Sequence, residues 1–412
     1  MKVIQVNSVY KKGSTGKIVY DTHIGLLNRG VDSIVCYGRG PLIKEKNVYK
    51  TCPELFSYMN NVLSRITGIV YAGCFYSTNK LISIIKKEKP DIVHLQCING
   101  YFVNIYRLIT WLKNHKIKTV LTLHADFMFT GGCGSSIDCN QWKNMPGCGY
   151  SPCPLYKRET HSIFRDGSKE VFRRMKKAFE GFNDNLIITS VSPWICERGR
   201  ESIILKGRDH RVVLNGLDPL IFHYKDSNEL RLKHSIPDNA KVVFHATPAF
   251  SLDKSHLKGG YYINEIAKLL KKDNYIFLVA GPHDENINVS DNIVLLGPVF
   301  DQKLLAKYYS FADITMLTSS RETFSMVTVE SLSCGTPVVG FKAGGPELIA
   351  IPEYSEFVNY ADIQALRDAT LKIINKKIDK EIISKKACSK YSKDNMVEGY
   401  LSIYRELVGE TK

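Results

Sequence analysis

The sequence is poor in the features that would place a chain in a membrane or outside the cell. No apolar run among its 412 residues approaches the roughly 18 that a bilayer span requires. The apolar start is cut short by Gln5, Asn7 and Ser8, so the long apolar core of a secretory signal is missing. There is no short internal repeat and no low-complexity segment, which sets aside solenoids and disordered tails. An Asp-x-Asp pair, one way of holding a divalent cation, is also absent. These absences lead to the expectation of a soluble, cytoplasmic, globular protein.

What is present fits that class. Apolar residues make up 44% and charged residues 24%, a globular balance. The length suits two domains of about 200 residues, each able to bury a core. A formal charge of +15 calls for an acidic partner, which nucleic acid, an anionic membrane or a phosphate-bearing substrate would each supply. The densest basic stretch, 157–177, holds eight Lys or Arg against three acids, and Val171, Phe172, Met175 and Phe179 interleave with it at helical spacing. It reads either as a solvated surface helix or as a helix lying on an anionic membrane surface, in which case the protein is peripheral on the inner face. Of the eleven cysteines, Cys36, Cys97, Cys196 and Cys334 sit singly in apolar contexts, as small core residues of a reducing compartment do.

Short apolar runs at 3–6, 33–37, 92–95, 119–123 and 186–190 are each followed by a helical pattern. This alternation predicts a parallel sheet with helices on both faces. After 212–214 comes the turn signal Asn215-Gly216, then a polar stretch, and the alternation restarts at 242–245, 275–280, 293–296, 314–317 and 337–339. The expected architecture is α/β, two doubly wound Rossmann-like domains facing across a cleft. The boundaries are placed at 1–215 and 216–390, with a terminal helix in 391–412. Ligands of such sheets sit at the carboxyl ends of the strands.

Several residues at those ends carry chemistry. Lys12-Gly13-Ser14-Thr15-Gly16-Lys17 joins the first strand to a helix expected near Ile18. It is either a plain turn or a loop that lets an anion approach a helix N-terminus, and it is not a Walker A loop, because its glycines are too close and Ile18 stands where Ser or Thr would bind magnesium. His124 ends a strand and is followed by Asp126. It faces a substrate hydroxyl or is bonded internally, whereas His94 is read as structural. Cys133, Cys139, Cys148 and Cys153 fall within 21 residues and are open to three readings: a structural zinc, disulfides or redox thiols, and unligated packing. Lys254 and Lys258-Gly259-Gly260 precede an amphipathic helix and supply cations for a diphosphate. Without Asp-x-Asp, protein cations would have to neutralise such a leaving group. The strongest signal is Arg321-Glu322-Thr323-Phe324-Ser325-Met326-Val327-Thr328-Val329-Glu330, followed by Cys334-Gly335-Thr336-Pro337-Val338-Val339 and Gly344-Gly345. A helix starting near Phe324 offers its N–H groups to phosphate while Glu330, set among apolar neighbours, needs a partner such as a ribose.

At these residues the sequence resembles the retaining family 4 glycosyltransferases of the GT-B fold, whose signature is Glu-x7-Glu. The resemblance covers nearly the whole chain and includes Pro90-Asp91-Ile92-Val93-His94, Ser192-Pro193-Trp194 and Asn215-Gly216-Leu217-Asp218. Thr130-Gly131-Gly132-Cys133 and the later cysteines are similar to a branch from bacterial capsular, exopolysaccharide and O-antigen clusters. The resemblance implies a nucleotide-sugar donor, UDP- or GDP-linked, and a saccharide or lipid-linked acceptor. It gives Glu330 to the ribose, Glu322 to the donor sugar, Lys258 and Lys254 to the diphosphate, and Phe324, Ser325 and Met326 to the donor site. His124 would face the sugar, Gly16 would line the opposite side, and the last helix would cross back to the first domain. No cofactor is implied for catalysis. Another GT-B enzyme, such as a nucleotide-sugar epimerase, shares these features. A basic zinc-containing nucleic-acid-binding protein would explain the charge and cysteines but neither glutamate nor the duplicated alternation, so no nucleic-acid partner is expected.

Overall fold

A computed structural model describes residues 1–410. The chain divides into two compact units, Met1–Leu214 with the chain from Met396 on, and Asn215–Asn395. In the first, β1 (Lys2–Asn7), α1 (Gly13–Leu27), β2 (Asp32–Tyr37), β3 (Val48–Lys50), α2 (Glu54–Thr67), α3 (Phe75–Glu88) and β4 (Ile92–Leu95) are followed by α4 (Ile105–Asn114) and β5 (Thr119–Leu123). Then come α5 (Tyr156–Thr160), α6 (Ser168–Phe179), β6 (Leu186–Ser190), α7 (Pro193–Glu201) and β7 (Asp209–Val212). The second unit holds α8 (Glu229–Lys233), β8 (Lys241–Ala246), α9 (Gly260–Leu270), β9 (Tyr275–Ala280), β10 (Ile293–Gly297), α10 (Gln302–Phe311) and β11 (Ile314–Leu317). It continues with α11 (Met326–Ser333), β12 (Val338–Phe341), α12 (Pro346–Ile349), β13 (Ser355–Val358), α13 (Ile363–Ile374) and α14 (Lys380–Lys390), and α15 (Lys393–Val408) closes the chain.

Both sheets are parallel and doubly wound. Their strand orders are β3-β2-β1-β4-β5-β6-β7 and β10-β9-β8-β11-β12-β13. Strands such as β4, β5 and β11 are buried throughout because helices cover both faces, which is why they read in sequence as continuous apolar runs. The strand order reverses between β1 and β4 in one sheet and between β8 and β11 in the other, and the strand ends at these two points open the crevices where ligands of such folds bind. From Met396, α15 packs in the first unit. Val397 lies against Gly25, where an added Cβ would come within 2.5 Å of it, and Tyr404 donates or accepts at 2.6 Å with His94 Nδ1.

Three local expectations change. Helix α1 begins at Gly13, not near Ile18, so Gly16 lies in its first turn. There its carbonyl accepts from the Lys11 N–H at 3.0 Å. The final strand of the first unit ends at Val212 instead of running over 212–214. The apolar side chains of the basic helix are not available to a bilayer: Val171, Phe172, Met175 and Phe179 on α6 are at most 1% exposed and pack inward beside α4, leaving only the basic face in solvent. Phe172→Ala should therefore lower the unfolding free energy by about 3–5 kcal/mol in a denaturant titration. A Phe172 reserved for a bilayer would leave the stability in solution nearly unchanged.

Candidate active site

In the second unit the switch point gathers three loops. Near the end of strand β8 stands His245, whose Nδ1 bonds the Met316 carbonyl at 2.9 Å and whose Nε2 is buried. Burial, with the nearby Lys258 charge adding to it, pushes this imidazole down to about 4, so it is neutral at physiological pH. The loop after β8 is tied to the end of β11: the Ser320 N–H donates to the Leu257 carbonyl at 2.9 Å, and Thr318 Oγ1 donates to the Lys258 carbonyl at 3.2 Å. Gly259 adopts φ +67°, and a Cβ there would meet the Thr318 carbonyl oxygen at 2.2 Å, so both the turn and the close approach require glycine. This pins Lys258 at the start of α9, with its Nζ 2.6 Å from Glu322 Oε1.

Glu322 is fixed from the other side. Its N–H donates to Ala343 at 2.9 Å and its carbonyl accepts from Gly345 at 2.8 Å, forming an isolated parallel bridge with Gly344. The carboxylate of Glu347 accepts from the N–H groups of Ala343 and Gly344 and holds that loop in place. Phe324 is buried, and Ser325 takes φ +82°, a strained conformation for a residue with a side chain. The strain lets Ser325 Oγ cap α11, accepting from the Thr328 N–H at 3.2 Å, so the helix starts at Met326, two residues later than expected.

Glu330 lies on α11 and lines a cavity of about 460 Å³ at the carboxyl ends of β8, β9 and β10, with Thr247, Gly281, Pro298, Phe300 and Met326 among its other walls. Tyr309 on α10 donates its O–H to Glu330 Oε2 at 2.9 Å. Lost hydration pushes the Glu330 carboxyl up to about 7, against the pull of the Tyr309 hydroxyl. Tyr309 was not legible as a site residue, because in sequence it is one more apolar position of an amphipathic helix.

The remaining candidates are less convergent. The Lys254 ammonium rests over the Tyr261 ring, 5.7 Å from its centroid. In the first unit His124 is buried and pushed down to about 4 by burial, and its Nε2 bonds Gln96 Oε1 at 2.8 Å. Asp126 does not serve it: its carboxylate accepts from Arg198 at 2.6 Å and from Ser136. His94, with Thr122 Oγ1 on Nε2 at 2.6 Å and Tyr404 on Nδ1, is built into the core. Cys133, Cys139 and Cys153 pack with Leu155 in an apolar cluster, and Cys148 is buried as well. Among the described residues no group of three or more His, Cys, Asp or Glu is arranged to hold a metal ion, so the expected zinc site at these four cysteines gains no support from their arrangement.

Two parallel doubly wound units match the GT-B fold of known glycosyltransferase structures. Residues 252–376 match the family model described as glycosyl transferases group 1. The chain is 20% identical over 351 residues to the N-acetyl-alpha-D-glucosaminyl L-malate synthase of Bacillus anthracis, covering 81% of this chain and 79% of that one. It is 22% identical over 428 residues to the putative colanic acid biosynthesis glycosyl transferase WcaC of Escherichia coli K12, covering 99% and 100%. Among solved structures it resembles WaaG, a glycosyltransferase involved in lipopolysaccharide biosynthesis, with TM-score 0.61, 14% identity and coverage of 98% and 99%. It also resembles Anabaena HepE in complex with UDP-glucose, with TM-score 0.63, 14% identity and coverage of 98% and 100%. The chain is a glycosyltransferase similar, over residues 252–376, to the group 1 enzymes, and it takes its sugar from a nucleotide-sugar donor.

Proposed function

We propose that the cavity beside Glu330 receives the nucleoside of the donor, with the Glu330 carboxylate accepting from ribose hydroxyls. Lys258 and the N-terminal N–H groups of α11, reached past Phe324, Ser325 and Met326, then meet the diphosphate, and Glu322 meets the donor sugar. Lys254 is a secondary cation, and His124 and Gly16 are the residues of the first unit proposed to serve the sugar. The observation that carries this reading is the placement of a cavity of about 460 Å³, a half-buried carboxyl and an ammonium group at the carboxyl edge of one sheet. As the glycosidic bond lengthens, positive charge grows on the sugar ring and negative charge on the diphosphate. A lysine and helix dipole already in position lower that barrier without reorganising. The acceptor hydroxyl attacks from the face the diphosphate is leaving, and the departing phosphate oxygen takes its proton.

The acceptor on this reading is a saccharide or lipid-linked saccharide of a bacterial surface polysaccharide, which the relatives named for colanic acid and lipopolysaccharide synthesis support. A thermal-shift panel of UDP- and GDP-sugars tests the donor claim. A ligand at about 100 times its Kd stabilises the native state by about 2.7 kcal/mol, an easily read rise in Tm. If no nucleotide sugar shifts the melting curve, the donor site is misplaced. Release of free nucleotide diphosphate with no glycosylated acceptor would point instead to an epimerase.

A further inference from the structure

Helix α2 is built inside out. Its inward face is polar: Ser57 is fully buried and donates to the Gly100 carbonyl at 2.9 Å, and Asn60 Oδ1 accepts from the Cys74 N–H at 2.9 Å. Ser64, one turn further on, is also buried. The outward face is apolar, with Leu55, Tyr58, Met59, Val62 and Ile66 exposed by 67, 66, 58, 38 and 48%. A surface helix of a globular protein turns its apolar stripe to the core, and this one reverses that rule. Leaving so much apolar surface in water opposes folding, so the pattern has no explanation within the unit itself.

The apolar surface extends past the helix. Phe56 packs on Tyr76 with ring centroids 5.7 Å apart, and Phe75 and Tyr76 at the start of α3 are each more than half exposed. Ile163 and Phe164 are exposed too, and the Ile163 N–H donates to the Arg65 carbonyl at 2.8 Å, which fastens them to the end of α2. Contiguous exposed apolar patches of this kind mark a partner or a membrane.

The neighbouring charge selects between them. A small cavity lined by Leu63, Phe75 and Arg174 joins α2 to a larger one of about 720 Å³ beside α4 and α6. Arg107, Lys113, Arg173, Arg174 and Lys177 line the larger cavity; Glu180 lies in its wall, and Glu170 bonds Arg173 and Arg174. A second copy of the chain docked on this face by a two-fold axis would bring two such basic groups together. An anionic surface complements them, and tyrosines at the edge of an apolar face suit the headgroup level of a bilayer. No helix among the described residues is long and apolar enough to cross a membrane, so the contact would be made by a surface-lying helix.

We infer that α2, with Phe75, Tyr76, Ile163 and Phe164, docks the protein onto an anionic lipid bilayer, and that the Arg107–Lys177 cavity takes the lipid headgroup charge. The inference stands apart from the identity of donor or acceptor.

The full chain is sedimented with vesicles of phosphatidylcholine and with vesicles in which about one third is phosphatidylglycerol. The wild type should pellet with the mixed vesicles and be released by salt. Met59→Glu/Ile66→Glu should weaken that binding about tenfold or more, with Tm and nucleotide-induced stabilisation unchanged, because both side chains face solvent. Should the glutamates unfold the chain, Met59→Ser/Ile66→Ser serves the same purpose. Arg107→Ala/Lys177→Ala should abolish the preference for anionic over neutral vesicles. Wild-type binding by the α2 variants, or failure of the wild type to bind anionic vesicles, overturns the inference. So does a wild-type dimer that the α2 substitutions dissociate, which would assign the face to a second copy.

Discussion

Glu322→Ala should bind nucleotide diphosphate at least as tightly as the wild type and transfer no sugar, whereas Lys258→Ala should lose turnover by about 10²–10³-fold. Both expectations grow out of one ion pair. Lys258 Nζ sits 2.6 Å from Glu322 Oε1, with both side chains partly exposed, so the pair itself contributes little to stability. A diphosphate arriving at Lys258 competes with that carboxylate. Removing Glu322 frees the ammonium for the diphosphate while removing the group proposed to hold the sugar. On the proposed reading Lys258 meets the oxygen on which negative charge accumulates as the bond breaks, so its loss should lower kcat and not merely raise KM. Titration of each variant with UDP and GDP, alongside a transfer assay, separates the roles. Loss of nucleotide diphosphate affinity in Glu322→Ala would reverse them, and full transfer by both variants would move the active site elsewhere.

The sequence was most readable where burial is symmetrical. Strands β1, β4, β5, β8, β9 and β11 lie beneath helices on both faces, so each appears as an unbroken apolar run. Strands β3 and β13, short and partly exposed at sheet edges, carry no such run and were not expected. Glu322, Glu330 and Lys258 could be singled out because acids and lysines stand out against glycine-rich turns. Which of them meet could not be read, because Lys258 reaches Glu322 only through the adjacency of β8 and β11, a property of strand order. Periodicity also says nothing about which way a face points. The same 3.6-residue pattern sends α6 inward, with Phe172 buried, and leaves α2 outward, with Met59 exposed. The deciding factor is the polar pair Ser57 and Asn60, whose hydrogen-bonding partners, the Gly100 carbonyl and the Cys74 N–H, come from other segments of the chain.

Nucleotide diphosphate affinity should rise with pH through about 7 and level off above it, with a proton released on binding. The Glu330 carboxyl is pushed up to about 7 because lost hydration disfavours its charged form, and only the charged form is the strong acceptor that ribose hydroxyls would use. Below that point the ligand must first remove a proton, so affinity falls by up to tenfold per pH unit. Calorimetry in buffers of different ionisation enthalpy reads the released proton directly. Tyr309→Phe removes the one hydrogen bond that pulls this carboxyl down, and should move the midpoint to higher pH. Glu330→Gln should flatten the profile and, at pH 8, weaken nucleotide binding by roughly tenfold to a hundredfold, the worth of a charge-assisted hydrogen bond. Its effect on folding has the opposite sign. A carboxyl raised above its unfolded value favours the folded state fully below about 4.5, and that contribution is lost as pH rises through about 7. The neutral amide avoids the loss, so the empty Glu330→Gln protein should melt higher than the wild type at pH 8 and about equally at pH 4. A wild-type affinity that is flat between pH 6 and 8, or a Gln variant that keeps the wild-type pH profile, would remove Glu330 from the ribose.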